Sequence, residues 1–145
     1  MRNFAILKLL KEDHKQILSL FTQLESLGTS SKERRKNWDK LRRELTRQSI
    51  IREDLVFPRL NGKNELRWLA RPAVAFQGYL DRLLNQLEYG NFGSERWEET
   101  LREMKSAVKE YMELEREKVY QTVCENLTPR ELEKFQSKML KSRVA

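Results

Sequence analysis

Any chemistry in this 145-residue chain must be built around one His and one Cys. A single imidazole cannot supply a His-x-x-x-Glu-x-x-His zinc helix, a two-histidine facial triad or any other multi-histidine metal centre. The lone Cys124 excludes an intrachain disulfide, and with it a disulfide-stapled secreted scaffold. It has no neighbouring His or second Cys, so it reads as a structural thiol rather than a nucleophile. What remains is a set of polar residues at helical spacing: His14, Gln48 with Arg52, Gln77, and Tyr111 with Glu115. Residues four apart share one helix face, so each pair points the same way. Buried polar groups persist only when hydrogen-bonded and buried charges only when paired. These positions therefore predict an internal polar layer, serving either a ligand or metal, or a self-satisfied network.

The elements that must position that layer are helices. Five Gly and three Pro leave little room for the frequent turns of an all-β protein, and apolar residues recur at intervals of three and four. A first helix from about Asn3 to Leu27 carries Phe4, Leu7, Leu10, His14, Ile17, Phe21 and Leu24 on one stripe, with Gly28 as its stop. A second opens on a Ser30–Glu33 capping box, places Trp38, Leu41, Leu45, Gln48, Arg52 and Leu55 inward, and ends near Phe57-Pro58. A third, starting near Asn64 or after Arg71, presents Ala73, Phe76, Gln77, Leu80, Leu84 and Leu87. A fourth, capped by Ser94, presents Trp97, Leu101, Met104, Val108, Tyr111, Glu115, Val119 and Thr122. A short fifth begins at Thr128-Pro129-Arg130-Glu131, with Thr128 as cap and Glu131 closing the box. Trp38, Trp68 and Trp97 lie near helix beginnings, as aromatic packing at bundle ends would require. The pattern predicts an all-α chain: an antiparallel up-down four-helix bundle with a short C-terminal fifth helix, as one domain over residues 1–145.

Several segments resemble hemerythrin-like (HHE cation-binding) domains. Leu10-Lys11-Glu12-Asp13-His14-Lys15-Gln16-Ile17 is similar to the family's opening motif. Arg52-Glu53-Asp54-Leu55-Val56-Phe57-Pro58 resembles its second-helix ending, and Leu114-Glu115-Arg116-Glu117-Lys118-Val119-Tyr120 the equivalent ending of the fourth helix. Leu127-Thr128-Pro129-Arg130-Glu131-Leu132 is similar to the start of the last helix. The likeness runs from about Ile6 to Met139. It implies a fold in which two irons are held between the four helices by histidines and carboxylates. Carried over by position, His14 matches the first-helix histidine and Glu115 a bridging carboxylate. The second-helix histidine position holds Gln48 and its bridging-glutamate position Arg52. Gln77 and Tyr111 stand where the third and fourth helices carry histidines.

Glutamine carbonyls and a neutral tyrosine are poor iron ligands, and arginine has no acceptor at all and stays protonated. The expectation is therefore that Arg52 takes the electrostatic place of the metal and pairs with Glu115. Gln48, Gln77, Tyr111 and His14 would complete the network. Any residual metal would have only His14 and Glu115 as ligands, so no cofactor is expected, with non-haem iron as the alternative.

The formal net charge is +7, which directs attention to acidic partners. Lys36, Lys40, Arg43 and Arg47 form a basic stripe on the second helix, flanked by Arg34, Arg35 and Arg42, with Lys138, Lys141 and Arg143 as a basic tail. Acidic residues are interspersed and no aromatic residues alternate with the cations as a base-stacking platform would need, so a solvated face is the preferred reading over a nucleic-acid surface. No run approaches the roughly 20 apolar residues of a membrane span, and Met1–Lys8 is not a secretory leader, so the default expectation is a cytoplasmic protein. Three functional readings follow. The preferred one is a non-enzymatic hemerythrin-like domain with a degenerate, metal-free centre, acting in binding, scaffolding or sensing. The alternatives are a non-haem iron (di-iron) hemerythrin-like protein that binds oxygen or metal, and a basic adaptor for nucleic acid or an acidic protein. No nucleophile–base pair and no phosphate-cradling glycine loop supports catalysis.

Overall fold

A computed structural model describes residues 4–27 and 31–143. The described residues form helices and connecting turns, with no strand. Helix α1 spans Phe4–Ser26, α2 Lys32–Ile51, α3 Phe57–Asn61, α4 Arg67–Tyr89, α5 Glu95–Leu114, α6 Tyr120–Glu125 and α7 Pro129–Ser142. Two π-helical segments, Arg52–Val56 and Glu115–Val119, join α2 to α3 and α5 to α6 without a break. The four long elements of the bundle are thus α1, α2 through α3, α4, and α5 through α6. Helix α1 packs on α2, α4 on α5, and α7 lies against α1.

Local sequence explains most boundaries. Ser31 caps α2, its hydroxyl accepting from the Arg34 amide at 3.1 Å. Gly28 and Ser30, expected as stop and cap, and the side chain of Phe4 lie outside the described residues. Ser94 caps α5 by accepting from the Trp97 amide at 3.2 Å. Thr128 and Glu131 satisfy each other's backbone N–H at 3.2 and 3.0 Å, and Pro129 takes the first turn of α7. Between α4 and α5 the chain turns through Gly93 at φ 80°, a left-handed conformation that a side chain would strain.

Two expected boundaries move. The second bundle element runs past Pro58 to Asn61, because the preceding π turn lets Pro58 start a new α-helical segment. Pro72 lies inside α4 rather than at its first turn. Its ring removes the donor to the Trp68 carbonyl. Trp68 itself is 62% exposed, contrary to the expected packing at a bundle end. Trp38 and Trp97 do pack there, edge to face at 5.3 Å, and the Trp97 indole donates to the Leu87 carbonyl at 2.9 Å. The opposite end is filled by Tyr120 against Phe135 of α7, with ring centroids 5.9 Å apart. Between these ends Leu10, Ile17, Leu41, Leu45, Leu80, Met104 and Val108 form an apolar core.

The π segments also re-phase the helices. In each, an amide bonds to the carbonyl five residues back: Phe57 to Arg52, and Tyr120 to Glu115. One extra residue per turn rotates everything beyond it. Hence Tyr120, Val123 and Cys124 face the core, whereas Thr122, expected inward from an uninterrupted 3.6 period, is only partly buried.

Candidate functional site: a polar core between the helices

Arg52 and Glu115 are the first residues of the two π segments and meet across the bundle. Arg52 Nε donates to Glu115 Oε2 at 2.8 Å and Nη2 to Oε1 at 3.0 Å, a two-point pair in which both side chains are buried. Arg52 Nη1 donates to Gln77 Oε1 at 2.7 Å. The Gln77 amide in turn donates to Ser49 Oγ at 2.7 Å and Asp81 Oδ1 at 2.8 Å, which fixes its orientation. Tyr111 contributes its ring: the Arg52 guanidinium carbon lies 4.3 Å from the ring centroid, and Phe76 stacks on Tyr111 at 5.2 Å. His14 Nε2 lies 3.1 Å from Glu115 Oε1, and its Nδ1 lies 3.4 Å from Arg116 Nη1. A guanidinium can only donate, so this contact leaves the lone pair on Nδ1 and the ring proton on Nε2, where Glu115 accepts it.

Electrostatics follow from this geometry. Burial alone would raise the Glu115 carboxyl, but the Arg52 charge, aided by the His14 hydrogen bond, holds it at about 2, well below the ordinary 4.5. Burial would likewise lower Arg52, and Glu115 reverses this, keeping the guanidinium charged. Burial raises both Tyr111 and Tyr120, so both phenols stay protonated. Cys124 is buried and its thiol is pushed up to about 11, the state of an inert structural cysteine.

Gln48 does not join the Arg52 network. It is fully buried but donates to Asp13 Oδ2 at 2.9 Å, in a second cluster that the acidic motif around His14 did not announce. Arg47 Nη2 and Arg143 Nη2 reach the other oxygen of Asp13 at 2.9 and 3.0 Å. Arg143 also donates to the Leu9 carbonyl at 3.0 Å, so this cluster ties the end of α7 to α1. Gln48 Oε1 and Tyr120 OH are buried with no hydrogen-bond partner among the described residues.

The expected basic face is correspondingly smaller. Lys36, Lys40 and Arg43 are exposed, whereas Arg47 turns inward to Asp13 and Glu44. Arg34, taken from sequence as a flank of that stripe, is 2% exposed. It makes a two-point pair with Glu98, donates to the Leu24 carbonyl at 3.0 Å, and lies over the rings of Trp97 and Phe92. Its only sequence signal is its place three residues after the Ser31 cap, one turn before Trp38 on the inward stripe.

The donor set does not suit iron. Both Glu115 oxygens are engaged by Arg52, and Oε1 also faces His14. Asp13, the other deeply buried carboxylate, is held by two guanidiniums and an amide. Among the described residues no group of three or more His, Cys, Asp or Glu side chains could hold a metal ion.

No curated protein matches the sequence. A solved structure, the crystal structure of a hemerythrin HHE cation binding domain-containing protein from Mycobacterium kansasii, shares the fold. It aligns with a TM-score of 0.75 at 24% identity, over 94% of this chain and 86% of that one. The Hemerythrin HHE cation binding domain family itself matches residues 5–123, which include both π segments and every member of the Arg52 network. On that match the chain belongs to the hemerythrin HHE cation binding domain family.

Proposed function

We propose that this chain is a non-enzymatic member of its family, in which an internal ion pair takes the place of the metal centre and the domain serves binding, scaffolding or sensing. The observation that carries this reading is the two-point Arg52–Glu115 pair. The guanidinium satisfies the carboxylate that a bridging site would need, and it brings a positive charge to the place of divalent ions. The remaining polar groups of the layer are neutral amides, phenols and one imidazole. Gln77 and His14 hydrogen-bond to the pair and the Tyr111 ring packs on the guanidinium, and none of these groups supplies a nucleophile and its base.

The test is elemental analysis of protein produced in iron-rich medium and purified without chelators, read beside its absorption spectrum and thermal stability. This reading expects far less than one metal per chain, no charge-transfer band, and full stability without metal. Stoichiometric iron with a charge-transfer band would support the di-iron alternative instead.

A second reading rests on a separate observation. Lys40 and Arg43 are exposed and line a groove of about 580 Å³ beside Ile50, between α2 and the end of α7. A basic adaptor would use that face for an acidic partner. Charge reversal at Lys40 and Arg43 tests it, and unchanged partner binding would count against it.

A further inference from the structure

One feature on the opposite side of α1 belongs to neither reading. A surface hollow of about 300 Å³ is lined by Lys11, Lys15, Leu18, Arg116 and His14. Lys11 and Lys15 stand one turn apart on α1, Arg116 faces them from the second π segment, and the buried His14 ring lies on the hollow's inner side. None of the three cations has a carboxylate within ion-pair distance among the described residues. Of the acidic residues nearest in sequence, Glu12 pairs with Arg143, Asp13 with Arg47 and Arg143, and Glu115 with Arg52, while Glu117 is exposed and makes no ion pair among the described residues. Arg116 is partly buried and its one polar contact is the 3.4 Å approach to His14 Nδ1. Gathering three like charges around a concavity costs electrostatic energy, and a half-buried guanidinium leaves most of its donor fork unused.

We propose that this hollow is a binding site for a small oxyanion of the phosphate class. Two lysines supply compact point charges, Arg116 supplies a planar fork, and Leu18 walls the apolar side. A doubly charged tetrahedral anion satisfies three cations at once, which a monovalent carboxylate does not. The ligand would sit one side chain away from the polar core, because Arg116 touches His14 and His14 touches Glu115. The site is outside the Arg52–Glu115 pair and does not depend on the proposed absence of metal.

The chain's single histidine makes the test direct, since its imidazole resonances have one assignment. The 145-residue chain is titrated with inorganic phosphate at constant pH and ionic strength, set by chloride, while the His14 ring signals are followed by NMR. The expected result is a saturable shift with phosphate, a far smaller one with acetate, and none with further chloride. Lys11→Gln with Lys15→Gln, both exposed positions that leave packing intact, should weaken the apparent affinity roughly tenfold or more. Arg116→Gln should weaken it at least as much. A shift reproduced by chloride or acetate, a shift unaltered in the double lysine variant, or no saturable shift at all would overturn the site.

Discussion

Arg52 and Glu115, sixty-three positions apart, each open a π turn and meet as a two-point pair inside the bundle. The extra residue in each turn sits where the two helices carry the family's paired motifs. Here that local geometry aims a guanidinium at a carboxylate. A buried pair of this kind loses solvation on both sides and recovers it only through close, well-oriented contacts. Gln77, His14 and the Tyr111 ring supply the remaining ones.

That balance makes the two partners unequal to their sum. Arg52→Met should lower stability by about 3–5 kcal/mol, because Glu115 stays buried without its counter-charge. Combining it with Glu115→Met should recover most of the loss, since no charge then remains in the layer. Urea unfolding of the two variants at neutral pH checks this. A double variant no more stable than the single one would show that the pair is not what the layer depends on.

The pair also sets an acid limb. Glu115 sits at about 2 in the folded chain against an ordinary 4.5, so its carboxylate is stabilised by folding. The contribution is fully present above about 4.5 and is lost as pH falls toward about 2. Unfolding in that window takes up about one proton at this site, worth a slope of about 1.4 kcal/mol per pH unit. Removing both partners, Arg52→Met with Glu115→Met, should make the acid limb shallower by about that amount. Stability measured by urea at several pH values between these limits reports it, and an unchanged slope would contradict the assignment.

Much of this site is visible in the bare sequence, and the exceptions have physical causes. Spacing by four put Gln48 with Arg52 and Tyr111 with Glu115 on inward faces, and all four are buried. Spacing does not say which partner a buried amide chooses, so the attachment of Gln48 to Asp13 rather than Arg52 was not legible. Asp13 lies in an acidic run that reads as solvated until Arg47 and Arg143, distant in sequence, are brought to it. Thr122 was misplaced because a 3.6 period carries no sign of a π turn. Arg34 lay hidden in a run of cations, distinguished only by its phase relative to Trp38.

Arg34 yields a prediction independent of the polar core. Its pairing with Glu98, its bond to the Leu24 carbonyl and its stacking on Trp97 fix the end of the bundle where α2 meets α5. Glu98 is partly exposed, so losing the pair costs less than at Arg52. Arg34→Met should destabilise by about 1–3 kcal/mol. Arg34→Lys should not restore it, because an ammonium cannot make the two-point contact and stack at the same time. Thermal unfolding of both variants measures this, and full rescue by lysine would mean that charge alone matters there.

The sharpest prediction concerns what Arg52 excludes. Arg52→Glu would set two carboxylates and His14 against one another, giving a buried group of three oxygen and nitrogen donors where His14 Nε2 already lies 3.1 Å from Glu115 Oε1. Without metal, the like charges repel and the variant should be strongly destabilised. A divalent cation should restore it, because a ligand that binds only the folded state stabilises by about 2.7 kcal/mol at a hundred times its Kd. The melting temperature of Arg52→Glu should therefore rise with added Zn2+ or Fe2+, while that of the unaltered chain stays constant. A comparable rise in the unaltered chain would mean that Glu115 and His14 accept metal despite Arg52, and the metal-free reading would then fail.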